Sequence, residues 1–584
     1  MSNPPDPPAT FPDTAFPDAA FPNQLDNQPS TPYLIGLDYG TESARAVLMR
    51  ADNPEILASA VHPYRHGVIE RHLKGRPLPR TCALQDADDY LLAARDLLSR
   101  VGAALPAEAE LAGIGVAFTS STPLPVDVQG NPLSRQFPEE PHAYVKLWKH
   151  RAAVEHTAPF QAMTDLGYYG GSSSPEWLPA KALELASEAP DLWAQTSRFV
   201  EAADWLTAQL CGEVKNEVRS ASHAGFKAHH RGGQYPPKVA SALAGRLGTG
   251  LPRPLGTPAG RLSAEWQAGC GLPSSGWSSR PIVAVSTIDA HAACLGLGLD
   301  QDGELTAILG TSACYLLSSR EERAIPGICG VVDGGIVPGL YGYEAGQAGF
   351  GDVLSWFVRT HPAFPGCSEA QSFEHYNALA ASLRPGEHGL LGLDWFNGCR
   401  TPLDRGDLSG LLLGYSTATT LADVYRALLE SLCFGARRVI DTFRAAGVQP
   451  TRMVLTGGLS ERHPLLVQLL CDVLGEPLEV AQTDSASARG AAIHAAVACG
   501  AAPSFGAACR TLAGHQTRTV QPGPAHHTTY DVLYSAYLEL GTLLAASPVM
   551  AQVQALASSV RADQRQDSIP APPHMSAATA GRPR

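Results

Sequence analysis

The order of apolar and polar residues along the chain predicts strands that alternate with amphipathic helices. Short apolar runs bounded by turn residues indicate buried strands, at 33–48 (a hairpin), 111–118, 281–286, 305–318 (a second hairpin), 453–455 and 478–481. Apolar residues at helical spacing indicate helices after Asp86 and at 199–211, 421–446, 464–474 and 488–498. This alternation is typical of an α/β fold.

The two predicted hairpins have the same pattern. Each is an apolar strand that bends at a Gly-Thr pair and leaves as a second apolar strand. The bends are Gly40-Thr41 and, about 270 residues later, Gly310-Thr311-Ser312. Glycine lets an anion approach the backbone closely, and hydroxyl groups add donors beside the backbone N–H groups. The repeat predicts two similar halves, each of which supplies one phosphate-binding turn to a cleft between them.

Two aspartates at the ends of predicted strands are candidates for metal binding and catalysis. Asp38 ends the first strand, where a carboxylate can hold a hydrated Mg²⁺. A plain hairpin with an Asx turn is the alternative there. Asp289 lies between the strand at 281–286 and a Gly/Ala-rich helix. It is either the N-cap of that helix or a carboxylate at the floor of the cleft that acts as a base.

Further polar residues lie in predicted loops, some of them where open α/β sheets bind ligands. Ser120 belongs to a cluster of hydroxyl residues at 119–122, for which a solvated turn is the alternative. The pair Gly457-Gly458 joins a strand to a helix and lets a flat ring or a phosphate approach the backbone. Lys227 and Glu344 are a cation and an anion on separate loops, and solvated surface charges are the alternative for both.

Size and composition restrict the classes of function. The chain has 584 residues, too many for one core, which predicts two large domains. A net charge of −13 argues against nucleic acid or an anionic membrane as the main partner. Twelve cysteines without CxxC spacing predict reduced thiols in a cytoplasmic protein. We expect neither a signal peptide nor a membrane span, because no apolar run has the required length or flanks.

The motifs as a set resemble the FGGY family of carbohydrate kinases, part of the larger actin–hexokinase–Hsp70 ATPase group. The resemblance extends from about Tyr33 to about Leu540. It is carried by IGLDYGTESARA, GIGVAFTSSTPLPVD, SSSPEWLPAK, VSTIDAHAACLG, ILGTSACYL, YEAGQAGFGD, LDWFNGCRTP and TGGLSERHPLLVQLL. Within the family, the stretches GICG, EAGQ, FGD and LDWFNG resemble the corresponding stretches of ribulokinases rather than those of glycerol, xylulose or gluconate kinases.

The resemblance implies an α/β fold of two similar actin/hexokinase-like (ribonuclease H-like) domains with a ligand cleft between them. The expected division is a Pro-rich disordered tail at 1–30 and an N-terminal domain at 31–292 with the sugar site and the first phosphate turn. A nucleotide-binding C-terminal domain at 293–548 and a partly disordered tail at 549–584 follow.

The resemblance also implies a role for each candidate residue. Asp289 is the expected catalytic base, which accepts the proton of the sugar's terminal hydroxyl, and Asp38 is expected to organise Mg²⁺ and the transferring phosphate. The expected phosphate-binding residues are Gly40, Thr41, Gly310, Thr311 and Ser312, with Gly457 and Gly458 beside adenosine. The expected sugar contacts are Ser120, Lys227, Asp289 and Glu344.

The implied reaction is transfer of the γ-phosphoryl group of ATP to O5 of a 2-ketopentose. L-Ribulose, giving L-ribulose 5-phosphate in L-arabinose catabolism, is the first expectation. The implied cofactors are ATP and Mg²⁺, and the implied partners are the sugar and ATP, with no nucleic acid and no membrane; a homodimer is left open. The alternatives are a kinase for another ketopentose or pentitol (D-ribulose, xylulose, ribitol), a non-catalytic ATP-binding module of the actin or Hsp70 type, and a sugar sensor that transfers no phosphate.

Three positions depart from the motifs that are usual in ribulokinases. Ala117 and His150 each stand where those motifs have an aspartate, and both are expected near the sugar-binding half. His463 stands where an asparagine is usual after Gly457-Gly458, in the part of the chain expected to contact the nucleotide.

Overall fold

The computed structural model describes residues 31–106, 109–213, 218–226, 235–247, 252–273, 280–483 and 485–566. The tail predicted at 1–30 and the last part of the tail predicted at 549–584 lie outside these residues. The described chain forms two lobes, an N-terminal lobe (31–288) and a C-terminal lobe (297–566), which are joined by one helix at 289–296.

The N-terminal lobe is built on a seven-stranded sheet of order β11-β12-β7-β1-β2-β3, with β13 also paired to β7. Both faces of this sheet are covered, so strands such as β1 and β7 are nearly continuous apolar runs. The strands of this lobe are β1 Tyr33–Tyr39, β2 Ser43–Arg50, β3 Ile56–Pro63, β4 His72–Leu73, β5 Arg76–Pro77, β6 Leu84–Gln85, β7 Leu111–Phe118, β8 Pro123–Val126, β9 Val145–Lys146, β10 Arg198–Glu201, β11 Pro258–Arg261, β12 Ile282–Ala284 and β13 Thr287–Ile288.

The helices of the N-terminal lobe cover one face of its sheet and build a separate layer over the cleft. Helix α1 starts after Asp86, whose side chain accepts a hydrogen bond from the backbone N–H of Asp88, as the sequence predicts. The helices, with the joining helix last, are α1 Ala87–Gly102, α2 Thr157–Gln161, α3 Leu178–Glu188, α4 Pro190–Gln195, α5 Ala202–Cys211, α6 Ala221–Phe226, α7 Pro237–Ala242, α8 Ala264–Gly269 and α9 Asp289–Gly296.

The C-terminal lobe has a second seven-stranded sheet, of order β16-β17-β15-β14-β20-β21-β22. Its strands are β14 Glu304–Leu309, β15 Ala313–Ser319, β16 Gly330–Asp333, β17 Tyr341–Gln347, β18 Leu391–Leu393, β19 Leu411–Leu413, β20 Arg452–Thr456, β21 Leu478–Ala481 and β22 Thr517–Val520. Its helices are α10 Gly351–Thr360, α11 Glu369–Ser382, α12 Leu421–Ala445, α13 Gly458–Arg462, α14 Pro464–Leu474, α15 Ala486–Ala498, α16 Phe505–Leu512, α17 Pro524–Ala546 and α18 Val549–Gln566.

The two sheets have the same central topology. In the first, β1 pairs antiparallel with β2 and parallel with β7, and β2 pairs antiparallel with β3. In the second, β14 pairs antiparallel with β15 and parallel with β20, and β15 pairs antiparallel with β17. Each lobe therefore begins with a hairpin followed by parallel strands, which confirms the two similar halves predicted from the repeated Gly-Thr bends.

Helix α15 of the C-terminal lobe packs directly on the sheet of the N-terminal lobe. A Cβ atom added to Gly115 on β7 would lie 1.8 Å from the backbone oxygen of Ala491, and one added to Gly36 on β1 would lie 1.8 Å from that of Ala488. Only glycine in the strands and small residues in the helix permit this approach. The residues of this helix are mostly small, so it packs closely on the other lobe.

The structure corrects one predicted helix and describes the residues at two predicted domain boundaries. The predicted helix at 199–211 begins as strand β10 and becomes helix α5 only at Ala202. The residues at 549–566, part of the predicted tail, form helix α18, and Met550 joins the apolar core of the C-terminal lobe. The domain boundary predicted at 292/293 lies inside helix α9.

Among the described residues, no single helix is long and apolar enough to cross a membrane. Helix α17 together with residues 549–557 of α18 meets that criterion only as a pair bent by 59°. Three tyrosines of α17, Tyr530, Tyr534 and Tyr537, belong to the apolar core of the C-terminal lobe.

Candidate active site

The first Gly-Thr turn connects β1 and β2 and is held by the rest of its lobe. The backbone N–H of Gly40 donates to the carbonyl of Ser43 at 3.1 Å, which closes the hairpin. The hydroxyl of Tyr64 donates to the carbonyl of Gly40 at 3.1 Å. The indole N–H of Trp148 donates to Oγ1 of Thr41 at 3.0 Å. These contacts fix the turn with the Thr41 hydroxyl toward the cleft.

The second Gly-Thr turn connects β14 and β15 and is held by the start of helix α10. The N–H of Gly310 donates to the carbonyl of Ser312 at 3.0 Å, as in the first hairpin. The N–H groups of Phe350 and Asp352 both donate to the carbonyl of Thr311, at 3.0 and 3.2 Å, and that of Gly351 donates to Gly310 at 3.1 Å. The FGD motif, Phe350 to Asp352, therefore positions this turn.

One cavity of about 390 Å³ lies between the two turns. It is lined by residues of both lobes, including most of those predicted from the sequence: Thr41, Ser120, Asp289, Gly310, Thr311, Ser312 and Glu344. The cavity thus brings together the two turns, the candidate base and two candidate sugar contacts. Thr41 and Glu344, which are far apart in the chain, both line this cavity because each lobe contributes one of its walls.

Asp289 lines the cavity, whereas Asp38 and Gly40 are not among the lining residues; Asp38 is close enough for its charge to act on Asp289. The pKa of Asp289 is raised to about 7, first by burial and then by the charges of Asp38 and Glu344, while a hydrogen bond that its carboxylate accepts from the N–H of Ala290 lowers it. Burial also raises the pKa of Asp38 to about 6, although Arg45 lies 3.3 Å away and lowers it. Helix α9 starts at Asp289 itself, whereas its N-cap position is Ile288. Asp289 is therefore not the N-cap of this helix, which was one of the two alternatives that the sequence allowed.

Asp38 fits a site for a divalent cation. Its carboxylate is buried, its pKa is raised by that burial, and a second carboxylate of raised pKa lies beside it. A hard cation with oxygen ligands would relieve this mutual repulsion. A second group of possible ligands, His142, Glu184 and Glu188, lies elsewhere in the N-terminal lobe. There the ammonium group of Lys146 lies 3.1 Å from Glu184 and from Nδ1 of His142, so the charge is already balanced.

Glu344 projects from the middle of strand β17, not from a loop as the sequence predicted. Nε2 of His291 lies 3.5 Å from its carboxylate, and Nδ1 of His291 lies within 3.0 Å of the hydroxyl of Ser222. His291 is two residues after Asp289 on helix α9, so the helix that carries Asp289 also places an imidazole beside Glu344. Lys227, the other predicted sugar contact of this group, lies outside the described residues.

Ser120 lies in a tight turn that follows strand β7. The next residue, Ser121, has a φ of 51°, a conformation that is uncommon for residues other than glycine. Its hydroxyl donates to the carbonyl of Glu176 at 2.6 Å, and the hydroxyls of Thr119 and Thr122 bond each other at 3.0 Å. The predicted hydroxyl cluster is therefore an ordered turn at the cavity and not a solvated one.

The pair Gly457-Gly458 lies beside the second turn, but neither glycine is among the residues that line the cavity. A Cβ atom on Gly457, which has a φ of 93°, would lie 2.6 Å from the carbonyl oxygen of Leu309, the residue before Gly310. His463 ends the short helix that follows. Its Nδ1 accepts the N–H of Leu466, so it caps helix α14, a role that asparagine also fills well.

The other two departures from the usual motifs lie away from the cavity wall. Ala117 is fully buried in a small apolar cluster with Ala292 and Ala491, where the lobes meet. His150 is buried too, with Nδ1 accepting from the N–H of Ala83 and Nε2 within 3.1 Å of Glu184. Both positions belong to the N-terminal lobe, the half expected to bind the sugar, where Ala117 contributes to packing and His150 to a buried polar network.

The cavity wall also includes Trp148, Glu176, Trp177 and Arg400, none of which was assigned a role from the sequence. Glu176 and Trp177 belong to the SSSPEWLPAK motif and Arg400 belongs to the LDWFNGCRTP motif, whereas Trp148 lies outside the motifs quoted above. Which of these side chains face the cleft depends on how the lobes meet, and the spacing of residues along the chain does not reveal this.

Comparison with known proteins agrees with this geometry. Residues 305–499 match the profile described as "FGGY family of carbohydrate kinases, C-terminal domain". A ribulokinase of Mycolicibacterium smegmatis is 40% identical over 539 residues, which cover 88% of this chain and 94% of that protein. A ribulokinase of Halalkalibacterium halodurans is 39% identical over 560 residues, which cover 91% of this chain and 98% of that protein.

Solved structures share the fold at lower sequence identity. The crystal structure of a xylulose kinase from Rhodospirillum rubrum superposes with a TM-score of 0.73 at 22% identity, and the match covers 89% of this chain and 99% of that chain. At this identity the match concerns the fold alone, and it confirms the two-lobed α/β architecture.

Proposed function

This chain belongs to the FGGY family of carbohydrate kinases, and from that premise we propose that it is a ribulokinase, which transfers the γ-phosphoryl group of ATP to O5 of L-ribulose. One observation carries the proposal. A single cavity of about 390 Å³ contains two Gly-Thr turns, one from each lobe, together with Asp289 and Glu344. The turns suit a phosphate chain, and the carboxylates suit a polyhydroxylated acceptor.

Asp289 acts as the general base in the proposed reaction. Its carboxylate accepts the proton of the sugar's O5 hydroxyl while the bond from O5 to the γ-phosphorus forms. The bond from the γ-phosphorus to the bridging oxygen breaks, and ADP leaves with that electron pair. A raised pKa of about 7 matches the base to neutral pH, where proton transfer is most effective.

The two turns position the phosphates. Phosphoryl transfer requires the protein mainly to hold donor and acceptor in line and to balance charge. Backbone N–H groups and the hydroxyls of Thr41, Thr311 and Ser312 supply neutral donors on both sides of the cavity. Because the turns belong to different lobes, a nucleotide held by both would favour the closed arrangement, which excludes water from the reaction.

We propose that Asp38 would hold Mg²⁺, which would supply positive charge for the phosphates. When bound, the ion neutralises phosphate charge and lowers the repulsion between Asp38 and Asp289. For the sugar we propose Ser120, Lys227 and Glu344 as contacts along with Asp289. Nε2 of His291 lies 3.5 Å from the Glu344 carboxylate.

The proposal extends to the organisation of the chain. We propose a sugar-binding domain at 31–292 and a nucleotide-binding domain at 293–548, with helix α9 as their junction. A cytoplasmic location follows from the use of ATP as phosphoryl donor. A homodimer is left open.

The deciding experiment is ADP release measured side by side with L-ribulose, D-ribulose, the two xyluloses and ribitol. We expect the highest kcat/KM with L-ribulose and little release without an acceptor. A preference for another pentulose or for ribitol would change the substrate but keep the kinase. ATP hydrolysis that no sugar stimulates would favour a non-catalytic ATP-binding module of the actin or Hsp70 type. Sugar binding without any ADP release would indicate a sensor.

A further inference from the structure

Glu176 and Arg400 form an ion pair between the lobes, which we call the cleft ion pair. Glu176 precedes helix α3 in the N-terminal lobe, and Arg400 lies in the LDWFNGCRTP motif of the C-terminal lobe. Nη2 of Arg400 is 3.3 Å from Oε2 of Glu176, and the two side chains are 24% and 17% exposed. These are the two described residues common to all three cavities along the cleft, of about 390, 460 and 540 Å³. The pair therefore stands where those cavities meet.

On the N-terminal side, the backbone of Glu176 is bonded to the turn that carries Ser120. The carbonyl of Glu176 accepts a hydrogen bond from the hydroxyl of Ser121 at 2.6 Å. The carbonyl of Ser121 in turn accepts from Nζ of Lys181, a fully buried lysine of helix α3, at 2.7 Å. The position of Glu176 and the position of the Ser120 turn are thus fixed relative to each other.

On the C-terminal side, the segment that carries Arg400 is bonded to the strand that carries Glu344. The N–H of Thr401 donates to the carbonyl of Gly346 at 3.1 Å, and the N–H of Gly346 donates to Oγ1 of Thr401 at 3.2 Å. A Cβ atom on Gly346 would lie 3.2 Å from Cδ and Nη1 of Arg400. The arginine therefore lies flat on the strand, two residues from Glu344.

The charges of this arrangement favour the ionised pair. Glu176 has a second partner within its own lobe, Arg151, at 3.1 Å from its other carboxylate oxygen. Burial alone would raise the pKa of Glu176, but Arg400 and Arg151 lower it below its usual value. A second contact between the same segments, the hydrogen bond from Ser172 to Asp404, lies beside the ion pair.

We propose that Glu176 and Arg400 are positioning residues of the kinase reaction. Their ion pair joins the Ser120 turn of one lobe to the Glu344 strand of the other, and so sets the spacing of the two walls that contact the sugar. Sugar binding and closure of the cleft then stabilise each other, and ATP reaches its reacting position only when the acceptor is present. This inference rests on the proposed function.

The test compares Glu176→Gln, Arg400→Met and the double variant with wild type, using the sugar that gives the highest kcat/KM in the acceptor screen. Each single variant should raise the KM for that sugar by about five- to tenfold, as expected for loss of a half-buried ion pair. Each should also raise the ratio of ADP released to sugar phosphate formed, while the KM for ATP stays within about twofold of wild type. The double variant should be no worse than the worse single variant, because both changes remove the same contact.

The chain offers a matched control and two further variants. Arg151→Met removes an ion pair of similar length from the same carboxylate, but one that does not cross the cleft, so it should keep the wild-type KM for the sugar. Arg400→Lys should restore part of the lost affinity, and Gly346→Ala should imitate the loss by displacing Arg400. Thermal melting of each variant separates a folding defect from a positioning defect.

Several outcomes would overturn the inference. They are additive losses in the double variant, an equal loss in Arg151→Met, or an unchanged sugar KM in both single variants that melt like wild type. If a single variant does not fold, Arg400→Lys and Gly346→Ala still decide the matter, since a wild-type sugar KM in Gly346→Ala contradicts the proposal. A wild-type enzyme without sugar-stimulated ADP release would instead refute the proposed function.

Discussion

The pH dependence of kcat/KM tests the chemistry of Asp289 most directly. The base works as a carboxylate, and its pKa in the free protein is raised to about 7 by burial and by the charges of Asp38 and Glu344. Because the pKa of Asp289 is raised in the folded protein, kcat/KM should reach its maximum above about pH 8 and should fall as the pH drops through 7. With a pKa of about 7, roughly a tenth of the carboxylate is ionised at pH 6 and nine tenths at pH 8.

We therefore expect kcat/KM for the sugar to rise about tenfold between pH 6 and pH 8, since this parameter reports the ionisation of the free enzyme. Below pH 6 the slope should steepen, because the pKa of Asp38 is raised to about 6 and the two carboxylates titrate as a coupled pair. Coupled ADP release at low concentrations of both sugar and MgATP, where the enzyme carries no bound metal or nucleotide, measures this profile, with the coupling enzymes in excess at every pH.

Two controls connect the profile to Asp289. The variant Glu344→Gln removes one of the charges that raise the pKa of Asp289, so the midpoint of its profile should move to lower pH. A carboxylic acid ionises with little enthalpy whereas an imidazole ionises with much, so a midpoint independent of temperature identifies a carboxylate. A kcat/KM that is constant between pH 6 and pH 8 would refute the reasoning, and so would a midpoint near the ordinary aspartate value.

Three further variants and one solution measurement test other parts of the argument. Asp289→Asn should keep sugar binding but lose at least about two orders of magnitude in kcat; near-normal turnover would exclude Asp289 as the base. Glu344→Gln should raise the KM for the ketopentose more than it lowers kcat, and an unchanged KM would argue against sugar contact. Gly115→Ala should lower the unfolding free energy by about 1–3 kcal/mol or more, because the new Cβ meets the backbone of Ala491. Gly406→Ala, with no atom within 4 Å of its Cβ, is the control, and equal melting of the two variants would contradict the packing argument. Small-angle scattering should show compaction on addition of sugar and nucleotide together, and an unchanged radius would count against closure of the cleft.

Local sequence patterns predicted most of the central elements, because those elements depend on nearby residues. Strand β7 and helix α14 have the predicted bounds, and helix α1 begins after the predicted N-cap Asp86. The apolar runs that predicted strands correspond to strands covered on both faces. The helix predicted at 199–211 was wrong over its first residues, because Phe199 and Val200 pair with β8 through a contact that spacing along the chain does not reveal.

The sequence by itself determined the repeated Gly-Thr bends, and with them the two similar lobes and the phosphate turns of a sugar kinase. Only the tertiary structure decided which polar residues share the cavity, because the cavity forms from two walls that belong to different lobes. In the tertiary structure Glu176 and Arg400 line the cleft, whereas Ala117 and His150 are buried in the packed interior. The physical reason is that turns and strands are set by local backbone preferences, whereas ion pairs and burial depend on where distant segments meet.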